Sequence, residues 1–283
     1  MRMNRKARFM AVAVCTAFLM AGTGACGTSI SVVTEGSAQG PTIAIGVAAD
    51  QPGLGYLHGG EYSGFDIDVA KYVAKTLGYA EKQIVFKQMT PADRISSLGN
   101  GTVDMVVDSV AMGGSHDDEA TVAGPYLTVN EALLVRSDNV GKISGLDDMS
   151  GKTACVVKGS VFADSVRDDA RHMTVSERRT YPQCMTALMI GEADAVIADD
   201  AIAAGLASKG RKGYLTSVTI PNSRLSYGIA VKAGQNELVR QIDSALRAMV
   251  KDGSWRRAAD TLGQAVGYVV DAKLNPPSIP SKQ

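Results

Sequence analysis

Twice along this chain a short apolar run gives way to a glycine-marked loop and then to residues spaced with helical period, and this repeated order restricts the fold most. In the first passage Thr42 to Val47 alternates as a short strand, a loop carries Gly53 and Gly55, and Val69, Val73 and Leu77 recur at helical spacing. Asp66 and Asp68 stand where carboxylates favour a helix N-terminus, and Gly78 where the helix should stop. Ile84 to Phe86 reads as the next strand, Asp93 to Leu98 as a short helix, and Val103 to Val110 as an apolar strand covered on both faces. The second passage repeats the order: strand Thr153 to Val157, Gly159 and Ser160, helix Val161 to Ala170, helix Gln183 to Ile190, strand Ala195 to Ala198. Two α/β units of the same order imply two parallel-sheet domains. Leu238, Ile242, Leu246 and Met249 mark an amphipathic helix and Trp255 to Leu262 another. The tail after Asp271, with Pro276, Pro277 and Pro280, is expected to be unstructured.

The N-terminus follows a different pattern. Arg2, Arg5, Lys6 and Arg8 precede the apolar run Phe9 to Met20 and the small residues Ala21 to Ala25. This is the layout of a secretory signal peptide, and the run is shorter than the roughly 20 residues a membrane-spanning helix needs. Residues 1–25 are therefore expected to be cleaved. Cys26 directly follows Gly24 and Ala25, an arrangement that resembles the lipobox of bacterial lipoproteins, in which the thiol receives diacylglycerol. Thr23 stands where that motif usually has Leu, and ordinary cleavage after Ala25 is the alternative. Residues 26–41, rich in Gly, Ser and Thr, read as a flexible tether. Either way the mature chain is expected outside the cytoplasm, lipid-anchored at the extracellular face of the cell membrane or secreted.

Removing residues 1–25 leaves 283 − 25 = 258 residues, enough for two modest domains, and takes the formal charge from +0 to −4 because the segment holds four basic and no acidic residues. Nucleic-acid binding has no electrostatic support in such a chain. His58, His116 and His172 are scattered and no CxxC pair occurs, so metal-ligand spacing is absent and no cofactor is expected. Phosphate-cradling P-loops, serine-hydrolase motifs and HExxH sequences are also absent. In an oxidising compartment Cys155 and Cys184 are the candidate disulfide, with two buried thiols as the alternative.

The segment Gly64-Phe65-Asp66-Ile67-Asp68-Val69-Ala70 closely resembles the signature of polar amino-acid solute-binding proteins with the type II periplasmic-binding-protein fold. Further matching segments follow in order: Arg94 through Asp104, Gly124-Pro125-Tyr126, Gly145 through Lys152, Lys158-Gly159-Ser160, Gly191 through Asp200, Tyr227 through Val231 and Asp252 through Trp255. Asp50 through Gly55 and the placement of the two cysteines are most similar to the glutamate-binding branch of high-GC Gram-positive bacteria. The resemblance implies an α/β protein of two lobes joined by a two-stranded hinge. Lobe one would be residues 42–126 plus 228–268, lobe two 132–223, and 269–283 a disordered tail. The implied function is that of an extracellular solute-binding subunit, a monomer and no enzyme, that closes on glutamate or another small polar solute. It would then present the closed form to an ABC permease and its ATPase.

Such a cleft must pair the ligand ammonium with an acid and its carboxylate with donors. By the resemblance Asp199 takes the ammonium, although it also reads as a helix cap that Asp200 could supply instead. Gly159 and Ser160 match the family's carboxylate-contacting helix start, and Gly-Ser is also a common helix opening. The lobe-one clamp departs from the family. Where its Ser-x-Thr-x-x-Arg stands, this chain has Ala111, Gly113 and His116, with Ser109 two residues before. His116 is either a weaker donor to the ligand or part of the polar loop Ser115 through Glu119. Acid where the family has a cation favours a ligand without an α-carboxylate, or a cationic one, and adds Asp50 and Asp108 to the cleft candidates. Two other readings are a sensor or accessory lipoprotein that has lost transport, and a dehydratase-like enzyme, for which no general-acid motif is present.

Overall fold

The computed structural model describes residues 40–113, 118–167 and 172–280, Arg167 without its side chain. Residues 1–25, expected to be a signal peptide, Cys26 and His116 lie outside the described residues.

β1 (Ile43–Val47) leads into a hairpin of β2 (Tyr56–His58) and β3 (Glu61–Ser63), where the sequence reads simply as loop. α1 (Phe65–Thr76) starts beside Gly64, whose φ of 117° and whose hypothetical Cβ, 2.1 Å from the Leu54 carbonyl oxygen, admit only glycine. The helix stops just before Gly78, as its sequence suggests. β4 (Ile84–Gln88), α2 (Arg94–Gly99) and β5 (Met105–Ala111) follow, β5 being buried from Met105 to Val110. β6 (Ala120–Arg136) then carries the chain into the second lobe.

That lobe repeats the order with β7 (Thr153–Val157), α3 (Val161–Arg167), β8 (Thr174–Arg178), α4 (Tyr181–Ile190), β9 (Ala195–Asp199) and α5 (Asp200–Lys209). β10 (Leu215–Lys232) returns the chain to lobe one, which α6 (Asn236–Lys251) and α7 (Ser254–Val266) complete.

All strands but the hairpin join one sheet in the order β4-β1-β5-β10-β6-β9-β7-β8. The triplets β4-β1-β5 and β9-β7-β8 are parallel, as the repeated order implies. Between them β10 and β6 pair antiparallel, so the expectation of purely parallel sheets is corrected: the chain crosses between lobes and returns, and two long strands running opposite ways form the hinge. Their register shifts between Thr219 and Arg224 and again between Tyr227 and Ile229, the local irregularity expected where a strand bends.

Apolar residues on both sheet faces supply the core. In lobe one Phe65, Val69 and Val73 of α1 pack with Ile43 and Ile45, and with Ile242 and Leu246 of α6. In lobe two Leu133, Val135, Val156, Phe162 and Ile197 form a separate cluster. Each such side chain contributes about 1.5–3 kcal/mol when fully buried. Cys155 of β7 and Cys184 of α4 form a disulfide with Cα atoms 5.5 Å apart. Closing a loop of about 30 residues contributes about 3 kcal/mol on a chain-entropy argument.

The tail is the second correction. It has no helix or strand after Val266, yet it is packed. β9 pairs β6 only between Glu131 and Val135, which leaves the backbone of Thr128 on that edge without a strand partner. Asn275, 5% exposed, fills the gap: its Nδ2 donates to the Thr128 carbonyl at 2.7 Å and its Oδ1 accepts from the Thr128 N–H at 2.9 Å. Buried backbone polar groups must find partners, and here a side chain provides both. Tyr268 donates to Asp200 at 3.0 Å, so this segment touches lobe two as well as the hinge.

Candidate functional site

The lobes meet at the C-terminal ends of β5 and β9, where two loops and two helix starts converge. Asp199 ends β9 with no exposed surface. Its Oδ1 accepts from the Ile202 N–H at 2.8 Å and its Oδ2 from the Tyr227 hydroxyl, so it caps α5 and also faces the hinge. The cap belongs to Asp199 itself and not to Asp200, which instead accepts from Asn130 and Tyr268. Burial pushes the Asp199 carboxyl up to about 7, against the lowering effect of those two hydrogen bonds. Among the described residues it has no ion-pair partner.

Ser160, 5% exposed, opens α3, and its Oγ accepts from the Ala163 N–H at 3.3 Å. Gly159 has φ 76°, and a Cβ there would lie 2.6 Å from Cα of Ala92 in lobe one, so this glycine is a point of contact between the lobes. Asp50 is a second: its Oδ2 accepts from the Tyr181 N–H of α4 at 3.1 Å, and burial pushes it up to about 6.

The floor on the lobe-one side is a buried polar network. Arg94, at the start of α2, donates from Nε to Asp108 Oδ2 at 2.8 Å and from Nη2 to Oδ1 at 3.2 Å. Gln51 donates to Asp108 Oδ1 at 3.3 Å and accepts from the Ser109 hydroxyl at 2.7 Å. Ser109 has φ 49°, a left-handed conformation that turns its hydroxyl toward Gln51 rather than along the strand. Beneath, Asp66 accepts from Tyr126 at 3.0 Å while its Oδ2 has no hydrogen-bond partner among the described residues, and burial pushes this carboxyl up to about 8.

Arg94, Ser109, Ser160, Tyr181, Asp199 and Tyr227 line a cavity of about 10 Å³ between the lobes, with Phe162 and Leu225 as apolar walls. Of the residues singled out by sequence, the structure brings Ser109, Ser160 and Asp199 to this cavity, and sets Gly159 and Asp50 at lobe contacts beside it. Ala111 ends β5 opposite Tyr227, and Gly113 is exposed with open space around it; neither lines the cavity. Arg94, Tyr181 and Tyr227 were not singled out. Arg94 heads one matching segment and Tyr227 another, which is the signal that marks them. Among the described residues no cluster of His, Cys, Asp or Glu is arranged to hold a metal, and no helix is long and apolar enough to cross a membrane.

Known proteins share this fold. The chain is 34% identical over 216 residues to the ABC transporter glutamine-binding protein GlnH of Bacillus subtilis, covering 75% of this chain and 78% of that protein. To the glutamate-binding protein GluB of Corynebacterium glutamicum it is 31% identical over 258 residues, 85% of each. A solved ancestral arginine-binding protein bound to glutamine superposes with a TM-score of 0.73 at 29% identity, covering 81% of this chain and all of that one. Residues 43–264 match the model of the bacterial extracellular solute-binding proteins, family 3, and the chain belongs to that family.

Proposed function

We propose that the cavity between the lobes is the ligand site of an importer-coupled binding protein for an amino acid or a related small polar solute. The observation that carries this reading is Asp199: a buried carboxylate with no cation beside it among the described residues, facing a cavity that both lobes line. An unpaired buried charge is costly, and a ligand ammonium placed there removes the cost. Ser160, Gly159, Ser109 and Asp50 shape the surroundings, and in the sequence Ala111, Gly113 and His116 take the places of the family's clamp, His116 lying outside the described residues. A cavity of about 10 Å³ holds about one water-sized sphere, so ligand entry requires residues 42–126 plus 228–268 to part from 132–223 about β6 and β10.

The named activities of GlnH, GluB and the arginine-binding protein support an amino-acid-type ligand. In this reading the chain is exported by residues 1–25, anchored through lipid on Cys26 by the tether 26–41, and acts as a non-catalytic monomer delivering solute to an ABC permease and its ATPase. A thermal-shift panel of amino acids, amines and short peptides tests it. A ligand at 100 times its Kd raises stability by about 2.7 kcal/mol, and a flat response across the panel would sink the reading.

A further inference from the structure

We infer that the cavity selects a positively charged ligand, an amine or guanidinium, and holds it without a carboxylate clamp. The inference rests on the reading of this cavity as the ligand site and names the class of solute it takes. Its basis is the charge arrangement. Arg94 is the one cation lining the cavity among the described residues, and it is already bound at two nitrogens by Asp108. Gln51, without exposed surface, donates to the same carboxylate, so the pair is a neutral unit fixed in its geometry.

What remains is negative. Asp199 and Asp50 flank Tyr181, and neither has a cation within ion-pair distance among the described residues. Among the described residues of lobe one no free cation is left to receive a ligand carboxylate: the Arg94 charge is offset by Asp108, the Ser109 hydroxyl donates to Gln51, and Ala111 and Gly113 carry no polar side chain. A dicarboxylic amino acid would therefore bring added negative charge against Asp50 and Asp199, while a cation would balance these two unpaired acids. The aromatic residues Phe162, Tyr181 and Tyr227 in the lining suit the same ligand, since aromatic rings attract cations. Burial raises both Asp50 and Asp199 above the ordinary carboxylate range, as expected of acids waiting for a cationic partner.

Calorimetric titration of the purified protein with arginine, with agmatine (arginine without its carboxylate), with glutamate and with glutamine tests the inference. Arginine and agmatine are expected to bind within about tenfold of each other, and glutamate and glutamine at least roughly a hundredfold more weakly. Agmatine weaker than arginine by more than about tenfold, or glutamate or glutamine binding as tightly as arginine, would overturn it. These outcomes leave the binding-protein reading standing; silence from all four and from the wider panel removes both. Two variants sharpen the result. Asp50→Asn is expected to weaken agmatine by roughly tenfold while leaving the buried floor intact, and unchanged affinity would count against the charge argument. Asp108→Ser frees the Arg94 guanidinium and is expected to strengthen glutamate relative to agmatine; an unchanged ratio in the folded variant would contradict the role given to the pair.

Discussion

Asp108 binds the guanidinium of Arg94 at two nitrogens, 2.8 and 3.2 Å away, with the acid wholly buried and the base 7% exposed. The pair sets the charge of the lobe-one floor, and its energetics can be separated from its role in binding. Removing one member of a buried pair leaves the other without a partner and costs about 3–5 kcal/mol, whereas replacing both with apolar residues is often neutral. Arg94→Leu alone is expected to lower stability by that amount in urea unfolding. The double variant Arg94→Leu with Asp108→Ala should recover most of it. Equal losses in the single and double variants would show that the pair is not coupled.

Stability should fall as pH rises from about 4 to about 8. Asp50, Asp199 and Asp66 are pushed by burial to about 6, 7 and 8, against about 4 in an unfolded chain. Between the two values the folded state binds more protons than the unfolded one, so each group contributes a decline of up to about 1.4 kcal/mol per pH unit. The groups facing them are Tyr227, Tyr181, Asp200 and the Ile202 N–H at Asp199, Tyr126, Asp108, Arg94 and the Ser109 N–H at Asp66, and Asp108, Arg94 and the Tyr181 N–H at Asp50. Without ligand, the melting temperature is expected to be higher near pH 5 than near pH 8, and Asp199→Asn to flatten part of the slope. A melting temperature that climbs across this window would contradict the burial argument.

Much of this arrangement is legible in the sequence, for reasons that differ by element. β7 and β9 are apolar runs buried on both faces, and Asp199 is marked as the acid that ends one of them. The two-stranded hinge is implied by the family resemblance, but its strands are not legible in the residue pattern, because Thr128, Asn130 and Glu131 break the apolar run where β6 crosses between lobes. The Arg94–Asp108 pair escapes a linear reading because α2 and β5 bring two residues 14 apart into contact only through the packing of helix on sheet. Asn275 escapes because its partner is the backbone of Thr128, whose open edge is a property of the sheet order and leaves no trace in side-chain pattern.

Gly205 of α5 offers a test of lobe contact with an unusual sign. Gly→Ala inside a helix ordinarily stabilises by about 1 kcal/mol. Here a Cβ would sit 2.1 Å from the carbonyl oxygen of Pro52 in lobe one. Gly205→Ala is therefore expected to lower the melting temperature and to enlarge the radius of gyration in solution scattering. A stabilised variant with unchanged scattering would show that this contact does not hold the lobes together.

Asn275→Ala removes two buried hydrogen bonds from the backbone of Thr128. Leaving buried partners unsatisfied costs about 1–3 kcal/mol each, so a loss of at least about 1 kcal/mol is expected in denaturant unfolding. Amide exchange at Thr128 should quicken in the same variant. If neither changes, the tail adds nothing to the hinge.

The central claim, that Asp199 lies in the ligand site, has one direct measurement. The tightest ligand found in the panel is titrated calorimetrically into the natural protein and into Asp199→Asn, which keeps the side-chain oxygen that caps α5. Loss of a buried charge partner costs 2–5 kcal/mol, so the account expects one-to-one binding by the natural protein and an affinity at least roughly thirtyfold lower in the variant. Equal affinity in a variant that folds normally would place the ligand elsewhere and contradict the account.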